Sequence, residues 1–263
     1  MTEESKTAAA IVYRDTVIAR DGVELAVHRM EGAPGGADRT VVLLHGLFSS
    51  AQMNWIKYGH AGRLAEAGFS VIMPDLRAHG ESGAPHDPAN YPPAVLVDDL
   101  DDVIGHYSLT DYDLGGFSLG SRTVLGGVVN GLNPRRLMLV GMGLEGLLSF
   151  NRRADWFIDA IDNFDDVKRG DEAYFAVSFM KTMKVDRVAA RLLLSSRINL
   201  TEADLKIPEM PVLVLCGTED RDNGSPTALV EALPDGHYAT MPGTHMSSVV
   251  EKALGLEMIK FLK

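Results

Sequence analysis

The sequence predicts an α/β architecture, a mostly parallel sheet with helices packed on both faces. Two observations carry that expectation. Short apolar runs of strand length alternate repeatedly with stretches of helical periodicity. The strongest run, residues 40–44, is continuously apolar after Thr40, the pattern of a central strand buried on both faces. With 263 residues, 46% of them apolar, the chain has room for one large core and a small accessory lobe, and its composition argues against general disorder.

The elements follow in order. Residues 17–20 and 23–29 read as a β-hairpin around Asp21-Gly22, a dipeptide suited to a positive-φ turn. Residues 32–38 are rich in Gly and Pro and form a loop. After the strand at 40–44, residues 58–68 form a helix with Gly68 near its end, and 69–73 return to strand. Residues 95–107 are helical, with Val95, Leu96, Leu100, Val103 and Ile104 as the apolar stripe and Asp98, Asp99, Asp101 and Asp102 facing water. Strands follow at 112–116, 136–140 and 211–215, and a last helix runs from 247 to 261. The helix after Ser118 buries Val124, Leu125, Val128 and Val129; its Gly126-Gly127 weakens helix propensity but permits close backbone packing.

The stretch from 144 to 205 is too long for an ordinary connection. Trp156, Phe157, Ile158 and Ile161 suggest one helix. Tyr174, Phe175, Phe179, Met180 and Met183 suggest a second, and Val188 with Leu192, Leu193 and Leu194 a third. The expected organisation is a core in two parts, 1–143 and 206–263, with a helical cap at 144–205 over the carboxyl ends of the strands. Cap packing or an ordinary helical excursion would each bury the aromatic residues.

Composition narrows the function. Lys and Arg total 25 against 36 Asp and Glu, a formal charge of −11, which disfavours a broad nucleic-acid surface. Cys216 is the only cysteine, so no disulfide forms within one chain. The acidic start, residues 1–6, precedes no secretory apolar stretch, and no segment approaches a membrane span. A cytoplasmic protein with no specific nucleic-acid or membrane partner is expected; no oligomeric state is read from the chain.

The chemistry is concentrated in Gly116-Phe117-Ser118-Leu119-Gly120, between a strand and a helix. This is a G-x-S-x-G elbow, whose small flanking residues relieve crowding at a sharp turn and hold the serine hydroxyl out of the helix. A serine hydroxyl is a weak nucleophile and needs a base. His245, after residues 237–241, supplies one; Asp220, at the exit of the 211–215 strand, orients its other ring nitrogen. Glu219 and Asp222 are rivals for the acid, and His237 is the rival histidine, its strand-like neighbours favouring core or edge placement. His45-Gly46-Leu47-Phe48 follows the strongest strand. There His45 reads as structural, while the Leu47 and Leu119 amides can hold a developing oxyanion.

These pieces, with Asp75-Leu76-Arg77-Ala78-His79-Gly80-Glu81-Ser82, resemble the α/β-hydrolase superfamily, in particular its compact capped esterases, lipases and related cofactor-free hydrolases. The resemblance implies an eight-stranded, mostly parallel sheet with an antiparallel edge and a cap inserted after the sixth strand. It further implies hydrolysis through an acyl-serine intermediate, with no metal or organic cofactor. Ala78 departs from the family's common Arg-Gly-His-Gly loop. Epoxide hydrolases and haloalkane dehalogenases of the family commonly carry aspartate at the elbow, and dienelactone hydrolases cysteine, where this chain has Ser118. The expected activity is hydrolysis of a small or medium carboxylic ester, with a small apolar or mixed-polarity acyl substrate. Phe48, Trp156, Phe157, Phe175 and Phe179 are the candidate pocket residues. An acyl thioester hydrolase and a noncatalytic small-molecule receptor on the same fold are the alternatives.

Overall fold

The computed structural model describes residues 11–35 and 39–263. The acidic start and the end of the Gly/Pro-rich loop, residues 36–38, lie outside the described residues. Eight strands form one sheet: β1 (Tyr13–Ile18), β2 (Glu24–Met30), β3 (Arg39–Leu44), β4 (Phe69–Pro74), β5 (Tyr112–Phe117), β6 (Leu137–Val140), β7 (Val212–Gly217) and β8 (Gly236–Met241). Their order is β1-β2-β4-β3-β5-β6-β7-β8. β1 and β2 pair antiparallel, β2 and β4 antiparallel, and every other neighbouring pair is parallel.

Continuously apolar strands feed two cores, because successive side chains point to opposite faces. Val42, Leu44, Leu114, Leu139 and Val214 join one core, with helices α2 (Val95–His106) and α3 (Leu119–Val129) packed on it. Val41, Leu43, Met138, Val140 and Leu215 join the other, under α1 (His60–Glu66) and α9 (Lys252–Leu262). Between β6 and β7 lie α4 (Leu144–Leu148), α5 (Phe150–Asp162), α6 (Tyr174–Met183) and α7 (Arg187–Ser195); α8 (Pro226–Ala232) precedes β8. Among the described residues no helix is long and apolar enough to cross a membrane.

Several expectations are corrected. The first strand begins at Tyr13, earlier than 17: it is an edge strand with only Val17 buried, so its apolar signal is weak. Only Gly22 of the Asp-Gly pair takes a positive φ. The helix expected over 58–68 is shorter, α1 at His60–Glu66, because Gly59 takes φ 76° just before it; a π-type turn at Gln52–Ile56, which the sequence reading did not foresee, precedes it. The helix expected from 247 to 261 is a 3-10 turn at Ser248–Val250 and then α9, separated by Glu251 in an extended conformation.

Asp99 does not face water. It is buried and receives Arg77 Nε at 3.0 Å and Arg77 Nη2 at 2.6 Å. The buried guanidinium draws one acid of the cluster inward, while Asp98, Asp101 and Asp102 all bond Arg20 at the surface. Ala78 adopts φ 65°, so the loop keeps a left-handed turn despite carrying a Cβ there. That conformation costs alanine about 1 kcal/mol.

Candidate active site

Ser118 sits at the junction of β5 and α3 with φ 53° and ψ −109°, a conformation costly for a residue with a side chain. The flanking glycines explain how it is held. A Cβ on Gly116 would lie 2.2 Å from the Gly120 carbonyl carbon, and one on Gly120 would lie 2.4 Å from the Leu44 carbonyl oxygen. Neither position has room for one further carbon. Ser121 Oγ secures the turn by donating to the Gly116 carbonyl at 2.6 Å and reaching the Val140 carbonyl at 2.9 Å.

Asp220 and His245 arrive from the loops after β7 and β8. Glu219 N–H donates to the Gly243 carbonyl at 3.0 Å, tying the two loops together. His245 Nε2 lies 3.1 Å from Ser118 Oγ, and its Nδ1 lies 2.9 Å from Asp220 Oδ2. The Phe117 ring packs against the imidazole, centroids 4.9 Å apart. Burial alone would raise the Asp220 carboxyl. The hydrogen bond and charge of His245, and the Asp222 N–H, outweigh it, and Asp220 ends below its ordinary value. Three side chains from distant stretches thus form one hydrogen-bonded line able to carry a proton from hydroxyl to imidazole beside a carboxylate.

The rivals fall elsewhere. Glu219 is exposed, Asp222 pairs with Arg153 at 3.3 Å, and His237 stands exposed on edge strand β8 beside Asp235. His45 is fully buried: Nδ1 lies 2.8 Å from the Gly46 carbonyl, and Nε2 accepts from Leu76 N–H at 2.9 Å. That pattern fits a neutral ring. Burial pushes the His45 imidazole down, against the pull of Asp75.

Ser118 and His245 open on a cavity of about 600 Å³, within the range of small-molecule sites. Leu47 and Leu119 line it, and among the described residues neither amide donates to another group. Phe48 takes φ 60° beside Leu47. Phe48, Trp156, Phe157, Phe175 and Phe179 all line the cavity, with Phe48 edge-on to Phe157 at 5.4 Å between centroids. The expectation that the insertion's rings are buried is corrected for all four of these, Trp156, Phe157, Phe175 and Phe179. Phe48 is buried, Trp156, Phe157 and Phe179 are half-buried, and Phe175 is 82% exposed. Helix α6 buries Val177 and Met180; Phe175, two residues before Val177, therefore projects from the far side.

Three residues of the site escaped the sequence reading. Asn54, in the π-type turn, accepts from Gly46 N–H at 3.0 Å and braces the Leu47 loop. Asn223 donates to the Gly141 carbonyl at 2.7 Å beside the cavity. Arg122, one turn into α3, is buried and lines the cavity. Only its spacing of four from Ser118 on one helix face could have drawn notice.

The family model described as alpha/beta hydrolase fold matches residues 39–125. Over 83 residues the chain is 35% identical to an epoxide hydrolase from Caballeronia sordidicola, an alignment covering 32% of this chain and 23% of that relative. Among solved structures, a hydrolase from Pseudomonas aeruginosa PA01 superposes with TM-score 0.76 at 19% identity, covering 95% of this chain and 98% of the other. An esterase from Rhodococcus sp. ECU1013 gives TM-score 0.72 at 22% identity, with 95% and 98% covered. With the sheet order and the elbow already described, these likenesses show that the chain carries the α/β-hydrolase fold.

Proposed function

We propose that the protein hydrolyses small or medium carboxylic esters through an acyl-enzyme on Ser118, with helices α4–α7 acting as a cap over the site. The observation that carries this reading is the unbroken hydrogen-bonded line from Ser118 through His245 to Asp220, opening on a cavity that two unpaired amides share. Ser118 Oγ attacks the ester carbonyl as His245 Nε2 takes its proton. Asp220, held anionic, stabilises the imidazolium that forms. The Leu47 and Leu119 amides and the positive end of α3 receive the oxyanion; one such donor lowers the barrier by about 3 kcal/mol. His245 then protonates the leaving alcohol and activates the water that frees the acyl group.

The epoxide hydrolase among the relatives suggests another reaction. The elbow serine favours acyl transfer: a carboxylate there would give an alkyl ester on attacking an epoxide carbon, whereas a serine would give an ether that water does not readily cleave. An acyl thioester would use the same machinery as an ester. A matched panel of esters and thioesters, with product release measured directly, separates the two. Ser118→Ala should lower kcat by at least about 10⁴-fold and abolish fluorophosphonate labelling at residue 118. A wild-type rate in that variant would refute the nucleophile, and tight ligand binding without labelling or turnover would favour a receptor.

A further inference from the structure

The cavity holds a cation that the proposed reaction does not use. Arg122 is only 4% exposed. Its Nη1 donates to the Gly146 and Leu147 carbonyls at 2.7 and 2.6 Å, and its Nη2 to the Ile198 carbonyl at 2.9 Å. The Phe150 ring lies beneath it at 4.2 Å. All these partners are neutral, and among the described residues no carboxylate pairs with the guanidinium. Burial brings Arg122 down to about 10, which leaves it protonated at neutral pH. A buried, unpaired charge is costly, and buried charges ordinarily have a counter-ion. Among the described residues Arg122 Nε has no partner, and it is not sealed from solvent. The other charges lining the cavity are accounted for: Arg153 pairs with Asp222, and Glu172 is exposed.

Position indicates which part of a substrate Arg122 would meet. A side cavity of about 40 Å³ adjoins the main one, and Leu47, Leu119, Arg122 and Phe150 line both. His245 lines only the main cavity. Arg122, with Leu47, Leu119 and Phe150, thus borders the part of the main cavity that adjoins the side cavity, a part that His245 does not share. An alcohol leaving group must face His245 to receive its proton, so the group toward Arg122 is the acyl chain. Arg122 follows Ser118 by about one turn of α3, and both line the same cavity, so the acyl chain that joins them is short.

We propose that the preferred substrates are esters whose acyl chain ends in a carboxylate, hemiesters of short dicarboxylic acids, with Arg122 receiving that carboxylate. This rests on the ester-hydrolase reading and narrows its substrate class. The reaction is unchanged: water adds across the acyl carbon–oxygen bond, releasing the alcohol and the dicarboxylic acid.

The test compares mono-4-nitrophenyl glutarate with 4-nitrophenyl valerate on the full chain. Wild type should favour the hemiglutarate in kcat/KM by about tenfold or more, the worth of a charge-assisted hydrogen bond. Arg122→Gln should abolish that preference, and Arg122→Lys, which keeps the charge, should restore part of it. A purely structural clamp would lower both rates together and leave their ratio intact, which overturns the proposal. Equal rates on the two esters in wild type also overturn it, while ester hydrolysis itself stands. Should neither ester be cleaved, the hydrolase reading fails and glutarate binding decides the arginine: a rise in Tm with glutarate in wild type that Arg122→Lys weakens supports the anion site, and no rise refutes it. Should Arg122→Gln not fold, the wild-type ratio and Arg122→Lys carry the decision.

Discussion

The elbow and the helical insertion face each other across one cavity, yet they are built by opposite means. Around Ser118 the backbone is packed against backbone: a Cβ on Gly116 or Gly120 would fall within 2.4 Å of main-chain atoms. Within the insertion, α5, α6 and α7 meet through side chains. Exposed ion pairs join α5 to α7 and its flanks, Asp162 to Arg191 at 2.7 Å and Asp155 to Arg197 at 2.8 Å. Trp156, Phe157 and Phe179 stay half-buried along the cavity, and Phe175 is exposed. Contacts between backbones admit no substitution, whereas surface side chains repack at little cost. The region proposed to perform chemistry is thus the rigid one, and the region proposed to select the substrate is the adaptable one.

That contrast can be broken by experiment. Asp220→Asn should cost the most, lowering kcat about 10⁴-fold, about 5.5 kcal/mol in the barrier; a loss under tenfold on a cleaved ester would remove the acid from the proposed mechanism. Gly116→Ala should destabilise the fold by roughly 3 kcal/mol or more, read from the urea midpoint, because main chain must move to admit the methyl. Gly170→Ala, before α6, meets open space and carries only the strain of φ 108°, about 1 kcal/mol. Similar losses at the two glycines would erase the distinction between rigid and adaptable regions.

Acid should separate the regions as well. Burial pushes His45, His60 and His79 down, His79 to about 3. Their folded values lie below the unfolded value, so the unfolded chain takes up protons first as pH falls. Stability is then full above about 6.5 and declines below it, by up to about 1.4 kcal/mol per pH unit for each histidine until its folded value is reached. The insertion contains no histidine. Urea midpoints should fall little from pH 7.5 to 6.5 and more steeply from 6.5 to 5.5, while hydrogen exchange in α5–α7 keeps its relative protection; an unchanged midpoint at 5.5 would refute the assignment. Smallest of all, Arg191→Ala should leave the midpoint unresolved from wild type, since the pair with Asp162 is solvent-exposed.

Much of this was legible because it rests on local pattern. Residues 40–44 and 211–215 advertise central strands by unbroken apolar character, and the elbow announces itself in five residues. Asp99 was misread because helical periodicity registers an acid on a helix face without registering Arg77 from another loop. Phe175 was misread because an aromatic side chain signals burial, while only the packing of Val177 and Met180 determines which side of α6 is left outside. Asn54 and Arg122 gave almost no signal, since each acts through backbone groups brought near by folding.

From the chain alone come the alternation of strand and helix, the sharp serine turn, and the short set of candidate acids and histidines in their order after it, because each depends on neighbouring residues or on order along the sequence. Tertiary structure alone decided which acid reaches the imidazole, which aromatic rings line the cavity, and that a lone guanidinium lies against its wall. Those outcomes depend on distances between segments 25 to 127 residues apart, and such distances are set by packing and the exclusion of water, which no local pattern records.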